Sequence, residues 1–265
     1  KDIFKYDPHV DEVLDLGKKD FFNTINKLKT KKFTQCYIYS DSIRLYLISK
    51  LSGIKKIYNY PFFSKKGKNF YKTAKEFTEK ILQKKINSKS KIYWDNFSIE
   101  ETKKKYGIEK NVKNIICGIS ASGPTKRWGI DNYIKLFKKI NSKFPCKFFL
   151  AGGNNDEILI QTIMNSVENC LSLSKLNMEQ IIPIIACCPN YIGNDTGFGH
   201  LAANLNSKCL MIFTDSPARS YGLWNNNIKI IVPVGETINS IGHNSRGKDN
   251  ISFDEVLDGA LNLIN

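Results

Sequence analysis

The chain has 265 residues, 42% of them hydrophobic, with a formal net charge of +15 and seven cysteines. That length suits one large domain or two ordinary ones, that apolar content excludes global disorder, and no apolar run approaches the roughly 20 residues of a membrane span. The cysteines form no CxxC pair and have no ligand-like histidine partners. They read as buried free thiols in a reducing compartment, not as a disulfide framework or a zinc site.

The charge is unevenly placed. Residues 1–113 hold 27 basic and 13 acidic residues, net +14, whereas residues 114–265 are net +1. Such an excess either attracts an anionic partner (nucleic acid, acidic lipid headgroups, a phosphorylated substrate) or forms a solvated lysine surface in a Lys-, Asn- and Ile-rich chain.

In chain order, Phe21, Phe22, Ile25 and Leu28 recur at helical spacing. Cys36–Tyr39 reads as a short strand, and Asp41 or Ser42 as the cap of a helix that stops at Gly53. Ile54–Tyr60 reads as a second strand, 65–89 as a basic helix with Phe70, Phe77 and Ile81 on one face, and Ser98–Tyr106 as a polar helix ended by Gly107. The composition shifts between Phe97 and Asn111, which predicts domains over 1–106 and 107–265.

Beyond that boundary the pattern repeats strand, loop, helix. Strands are predicted at Ile115–Ile119, Lys147–Ala151, Cys170–Leu173, before Gly193, at Cys209–Phe213 and at 228–232. Asp131 is the predicted cap of a helix carrying Tyr133, Ile134, Phe137 and Ile140, and Asn155 of one that begins at Asp156. Asn177 is the predicted cap of a helix to Cys188, in which Pro183 costs one interior hydrogen bond, and Phe253–Ile264 reads as a terminal amphipathic helix. Alternation with short connections means an α/β fold whose parallel sheet is wound on both faces.

In such a sheet ligands bind at the carboxyl ends of the strands. Gly193-Asn194-Asp195-Thr196-Gly197-Phe198-Gly199-His200 breaks a strand on glycine and re-enters as a helix, leaving backbone N–H groups and the positive end of a helix dipole for a phosphate. The plainer alternative is a glycine-rich connection capped by Asp195. Ser120, Ser122, Lys126 and Arg127 form a second loop, with hydroxyls and two cations suited to a diphosphate but without the GxxxxGK[ST] spacing of an ATPase loop. In a third, Gly152 to Glu157, capping by Asn155 is favoured over contact with a ribose or base.

The order of these loops resembles the lipopolysaccharide heptosyltransferases of glycosyltransferase family 9. Gly118 to Trp128 with its Lys-Arg-Trp, then Ala151-Gly152-Gly153, then Asp195-Thr196-Gly197 through His200-Leu201-Ala202-Ala203 carry the likeness. It covers residues 115–265 well and extends more weakly into Asp7 to Tyr60. The resemblance implies a GT-B fold of two Rossmann-like doubly wound domains. Its C-terminal domain would hold a nucleotide-diphosphate sugar, usually ADP-heptose, and its N-terminal one an anionic lipid-linked sugar acceptor at the cytoplasmic membrane face.

Carried over by position, Ser122 and Lys126 contact the diphosphate, Thr196 and Gly197 hold its other side, Asp195 binds the donor sugar, His200 supports the phosphate, and Ser120 belongs to the same donor-binding set. Transfer would invert the anomeric centre with no metal and no cofactor. The family begins with a strand and a Gly-Asp loop whose aspartate is the base; Lys1 aligns beyond it, so the N-terminal domain is expected to be incomplete and no catalytic base is assigned. The implied protein is a cytoplasmic monomer, peripheral on an acidic membrane surface, with no nucleic-acid partner. A non-catalytic nucleotide-sugar-binding relic and a nucleic-acid-binding protein are the competing readings; the latter would use Tyr58, Tyr60, Phe62 and Phe63 beside Lys65 and Lys66.

Overall fold

A computed structural model describes residues 2–16, 20–61, 69–87, 90–95, 98–245 and 247–265. The chain divides into two compact units, Lys1–Val10 with Lys89–Asn265, and Asp11–Ser88.

The larger unit is built on six parallel strands: β3 (Lys113–Gly118), β4 (Cys146–Ala151), β5 (Cys170–Ser172), β6 (Asn190–Asn194), β7 (Lys208–Ile212) and β8 (Ile228–Ile231). Their order is β5-β4-β3-β6-β7-β8. The chain thus winds outward from β3 in one direction, returns to β6 beside β3, and winds outward the other way. Most of these strands are nearly continuous apolar runs because both faces are covered. Ile115 and Cys117 of β3 face a core shared with α5 (Ile130–Asn141), α6 (Glu157–Met164) and α10 (Phe253–Ile264). Ile116 faces the opposite core, with α7 (Met178–Cys187) and α8 (Gly197–Asn204).

Local chemistry sets the helix ends. Asn177 caps α7 in a reciprocal box with Gln180, each side chain accepting from the other's backbone N–H at 3.0 and 3.1 Å. Asp131 does not cap α5: Gly129 stands at the cap with φ +106°, and the carboxylate lies in the first turn. Nor does Asn155 cap α6. It sits in a 3₁₀ turn, Asn154–Asp156, and it is Asp156 that accepts from the Gly153 N–H at 2.9 Å.

The compact units do not divide at the expected 106/107 boundary. Helix α4 (Ser98–Tyr106) packs on α7 and belongs with the larger sheet. Residues 2–10 join the same unit, where Lys5 pairs with Glu179 of α7 at 2.8 Å. Neither contact has a local sequence signal.

The smaller unit carries α1 (Phe21–Lys31), β1 (Gln35–Ile38), α2 (Ile43–Leu51), β2 (Lys56–Asn59) and α3 (Phe70–Leu82). β1 and β2 pair in parallel with Gln35 opposite Lys56. Ser42, not Asp41, caps α2 by accepting from the Leu45 N–H. The expected basic helix over 65–89 is shorter: Gln83 closes it in the left-handed region, and 65–68 and 88–89 lie outside the described residues. Tyr60 is buried against Phe77, ring centroids 4.9 Å apart, and Tyr58 stacks on Tyr37. Tyr60 is therefore no open stacking platform, and Phe62, Phe63, Lys65 and Lys66 lie outside the described residues.

Candidate functional site

The switch point between β3 and β6 is made by two glycines. Gly118 pairs with Gly193, and a Cβ on Gly193 would come within 2.5 Å of the Gly118 backbone. Only glycine permits that approach, since a backbone neighbour cannot swing aside. Beside them Asn194, fully buried, sews the two strand ends together. Its amide oxygen accepts from the Trp128 N–H at 3.1 Å, and its amide nitrogen donates to the Ile119 carbonyl at 3.0 Å.

The loops leaving β3, β4, β6 and β7 converge on a cavity of about 610 Å³. Ser120, Ser122, Lys126, Asp195, Thr196, Gly197 and His200 all line it, so the structure brings together every residue of the predicted donor set. A larger cavity of about 900 Å³, lined by Asn114, Pro189 and lysines of α4, lies at the amino ends of β3 and β6, away from where a doubly wound sheet binds ligands.

Lys126 is the only lysine or arginine among the cavity's described lining residues, its ammonium 3.3 Å from the Ser122 hydroxyl. Arg127, the second expected cation, is consumed by the scaffold. It pairs with Asp156 at 3.1 Å and donates to the Ala121 carbonyl, while Asp156 also accepts from the Ser120 hydroxyl at 2.6 Å. The Ser120–Trp128 loop is thus strapped to the turn after β4. Thr125 latches it to the turn after β7 by donating to Asp215 at 2.6 Å, and Thr214 donates back to the Thr125 carbonyl at 2.8 Å.

Thr196 is the N-cap of α8 but makes no side-chain cap bond; its hydroxyl meets that of Tyr191 at 3.2 Å. The first N–H groups of α8, at Gly197 and Phe198, therefore stand at the cavity with the positive end of the helix dipole.

Asp195 does not cap α8 either. One carboxylate oxygen meets His200 Nε2 at 3.1 Å and the other accepts from the Ser216 hydroxyl at 2.7 Å. His200 Nδ1 accepts from the Trp224 indole N–H at 3.0 Å. Both ring nitrogens are engaged within the protein, so His200 orients Asp195 where direct support of a phosphate was expected. Asn194 and Asp156 lay within the loops singled out from the sequence but were given no role there, and Ser216 and Trp224 had no motif to announce them.

A parallel sheet with a glycine-lined crevice at its switch point and an uncapped helix N-terminus beside it is the architecture of nucleotide-binding domains. Residues 63–243 match the model of glycosyltransferase family 9 (heptosyltransferase), and the chain belongs to that family. It is 27% identical over 209 residues to lipopolysaccharide heptosyltransferase 1 of Campylobacter coli, a match covering 72% of this chain and 61% of that relative's length. Its fold is similar to a family 9 glycosyltransferase from Veillonella parvula, with TM-score 0.83 at 17% identity, covering 100% of this chain and 85% of that one. It is similar also to the Escherichia coli ADP-heptose lipopolysaccharide heptosyltransferase II, with TM-score 0.78 at 16% identity, covering 99% and 86%. The fold is of the GT-B type.

Proposed function

We propose that this chain is a glycosyltransferase that binds a nucleoside-diphosphate sugar, ADP-heptose, in the cavity between β3 and β6 and transfers the heptose to a lipopolysaccharide core acceptor. Family membership supports the reaction class, and ADP-heptose is the sugar nucleotide in the name of the similar E. coli enzyme. The observation that carries the donor assignment is the convergence of Lys126, the α8 N-terminus and Asp195 on one cavity.

In this reading the diphosphate lies between the Lys126 ammonium and the N–H groups of Gly197 and Phe198, with Ser122 donating to its oxygens, while Ser120, whose proton goes to Asp156, lines the cavity and holds the turn after β4. When the glycosidic bond breaks, negative charge grows on the departing diphosphate. A fixed cation and fixed backbone dipoles stabilise that charge with little reorganisation, and supply what a metal ion would otherwise provide. Asp195 faces the sugar, where a carboxylate accepts from hydroxyls. Transfer inverts the anomeric centre. The acceptor is anionic, the protein acts as a monomer, and it sits peripherally on the inner face of the cytoplasmic membrane. No residue is assigned as base.

Titration calorimetry with ADP-heptose and with ADP tests the reading without an acceptor. Saturable binding of both, lost when Lys126 and Ser122 are replaced together, is expected. Failure of the parent chain to bind either would refute it.

A further inference from the structure

We infer that Trp224 is a positioning residue for sugar recognition, acting through His200 on the carboxylate of Asp195. The inference rests on the donor-site reading above. Trp224 follows the short helix α9 (Ala218–Tyr221) and does not line the cavity. Its influence on a ligand must pass through what it touches, and it touches His200.

An indole N–H can only donate. Its 3.0 Å bond therefore makes His200 Nδ1 an acceptor, which places the ring proton on Nε2. That proton is then donated to Asp195 at 3.1 Å. The opposite tautomer would turn a lone pair on Nε2 toward a carboxylate, and the two would separate. Trp224 thus selects the tautomer that grips Asp195, while Ser216 holds the other oxygen at 2.7 Å.

A carboxylate offers about four lone-pair positions, so two remain for a ligand. Fixed in this way, Asp195 accepts from sugar hydroxyls and repels a phosphate. It rewards the sugar conjugate over the free nucleoside diphosphate.

The test compares the parent and Trp224→Phe by calorimetry with ADP and with ADP-heptose, alongside ¹⁵N spectra of the His200 ring. Trp224→Phe should keep ADP affinity within about twofold and lose affinity for ADP-heptose by about tenfold, the scale of one hydrogen bond to a charged group. The ring should pass from the Nε2–H form to a tautomer mixture. In a His200→Gln background, where the amide N–H can serve Asp195 without the indole, Trp224→Phe should change neither affinity.

Equal loss of both ligands, unchanged ADP-heptose affinity, an unchanged ring tautomer, or a full effect in the His200→Gln background would each overturn the relay. If Trp224→Phe does not fold, His200→Gln should retain the preference for ADP-heptose and His200→Leu lose it; identical behaviour would overturn the inference. A parent that binds neither ligand refutes the donor site, and the ring spectra still report whether Trp224 sets the tautomer.

Discussion

Asp195 and Lys126 hold opposite charges against the same cavity, and their substitutions should fail differently. Asp195→Ala removes an acceptor that lies in a loop, outside both apolar cores. We expect sugar transfer to be lost and the circular dichroism spectrum to stay near the parent's, with a lowered melting temperature because the buried Ser216 hydroxyl and the His200 Nε2–H lose their acceptor; transfer at the parent rate would reduce Asp195 to a scaffold group. Lys126→Ala should weaken nucleoside-diphosphate binding by about 1.5–3 kcal/mol, the range for hydrogen bonds to charged groups. Unchanged calorimetric affinity would put Lys126 in solvent and leave the α8 N-terminus as the phosphate site. Asn194 differs from both because it is fully buried. Asn194→Ala would strand the Trp128 N–H and the Ile119 carbonyl, costing about 1–3 kcal/mol per unsatisfied group in denaturant unfolding.

At the scale of elements, the strands of the larger sheet carry most of the thiols. Cys117, Cys146, Cys170 and Cys209 lie in β3, β4, β5 and β7, and Cys187 and Cys188 end α7. Burial pushes Cys146 up to about 11 and Cys170 and Cys209 to about 12, and raises Cys117, Cys187 and Cys188 as well. The unfolded chain ionises near the ordinary value of 9.0, while these folded thiols stay protonated. The stability they contribute is therefore complete below about pH 9 and is lost as pH rises toward 12. For a fully buried thiol such as Cys209 the loss is up to roughly 1.4 kcal/mol per pH unit. Denaturant midpoints at pH 8 and pH 10 check this; equal midpoints would mean that the thiols ionise freely in the fold.

Much at this scale was legible beforehand. α4 and α10 fall where periodicity, Gly107 and the Phe253 face placed them, and Asn177 caps α7 as expected. Of the pair Asp41 and Ser42 it is Ser42 that caps α2, and Asp131 and Asn155 are displaced from their caps by Gly129 and Asp156, because the loop path from the preceding strand sets where each helix starts.

For the whole molecule, the charge belongs mostly to the smaller unit: residues 11–88 hold 18 basic and 7 acidic residues. Within α3, Glu76 and Glu79 pair with Lys72 and Lys75, yet the unit keeps a large excess. No helix among the described residues is long and apolar enough to cross a membrane. The positive excess of the smaller unit is what an acidic surface would attract. We therefore expect the full chain to bind acidic-lipid vesicles, with binding that weakens as salt rises beyond physiological strength, where the Debye length is about 8 Å. Each exposed lysine near the surface adds on the order of 1 kcal/mol, so reversing Lys72, Lys75 and Lys80 should release the protein at lower salt. Binding indifferent to salt or to those reversals would leave the lysines as a solvated surface.

The sequence by itself determined the class of fold and which loops meet at the carboxyl ends of β3 and β6. Both are local properties: strand and helix periods lie in contiguous residues, and a glycine break before a helix exposes backbone donors wherever it occurs. Only the tertiary structure decided what each polar group in those loops is free to do. Arg127 and Asp156 are 29 positions apart, Asn194 and Trp128 are 66 apart, and His200 meets Trp224 across 24. Such pairings depend on strand order and on which side chains the cores leave at one end of the sheet. They withdraw Arg127 from a ligand, turn His200 toward Asp195, and leave Lys126 as the cavity's lysine.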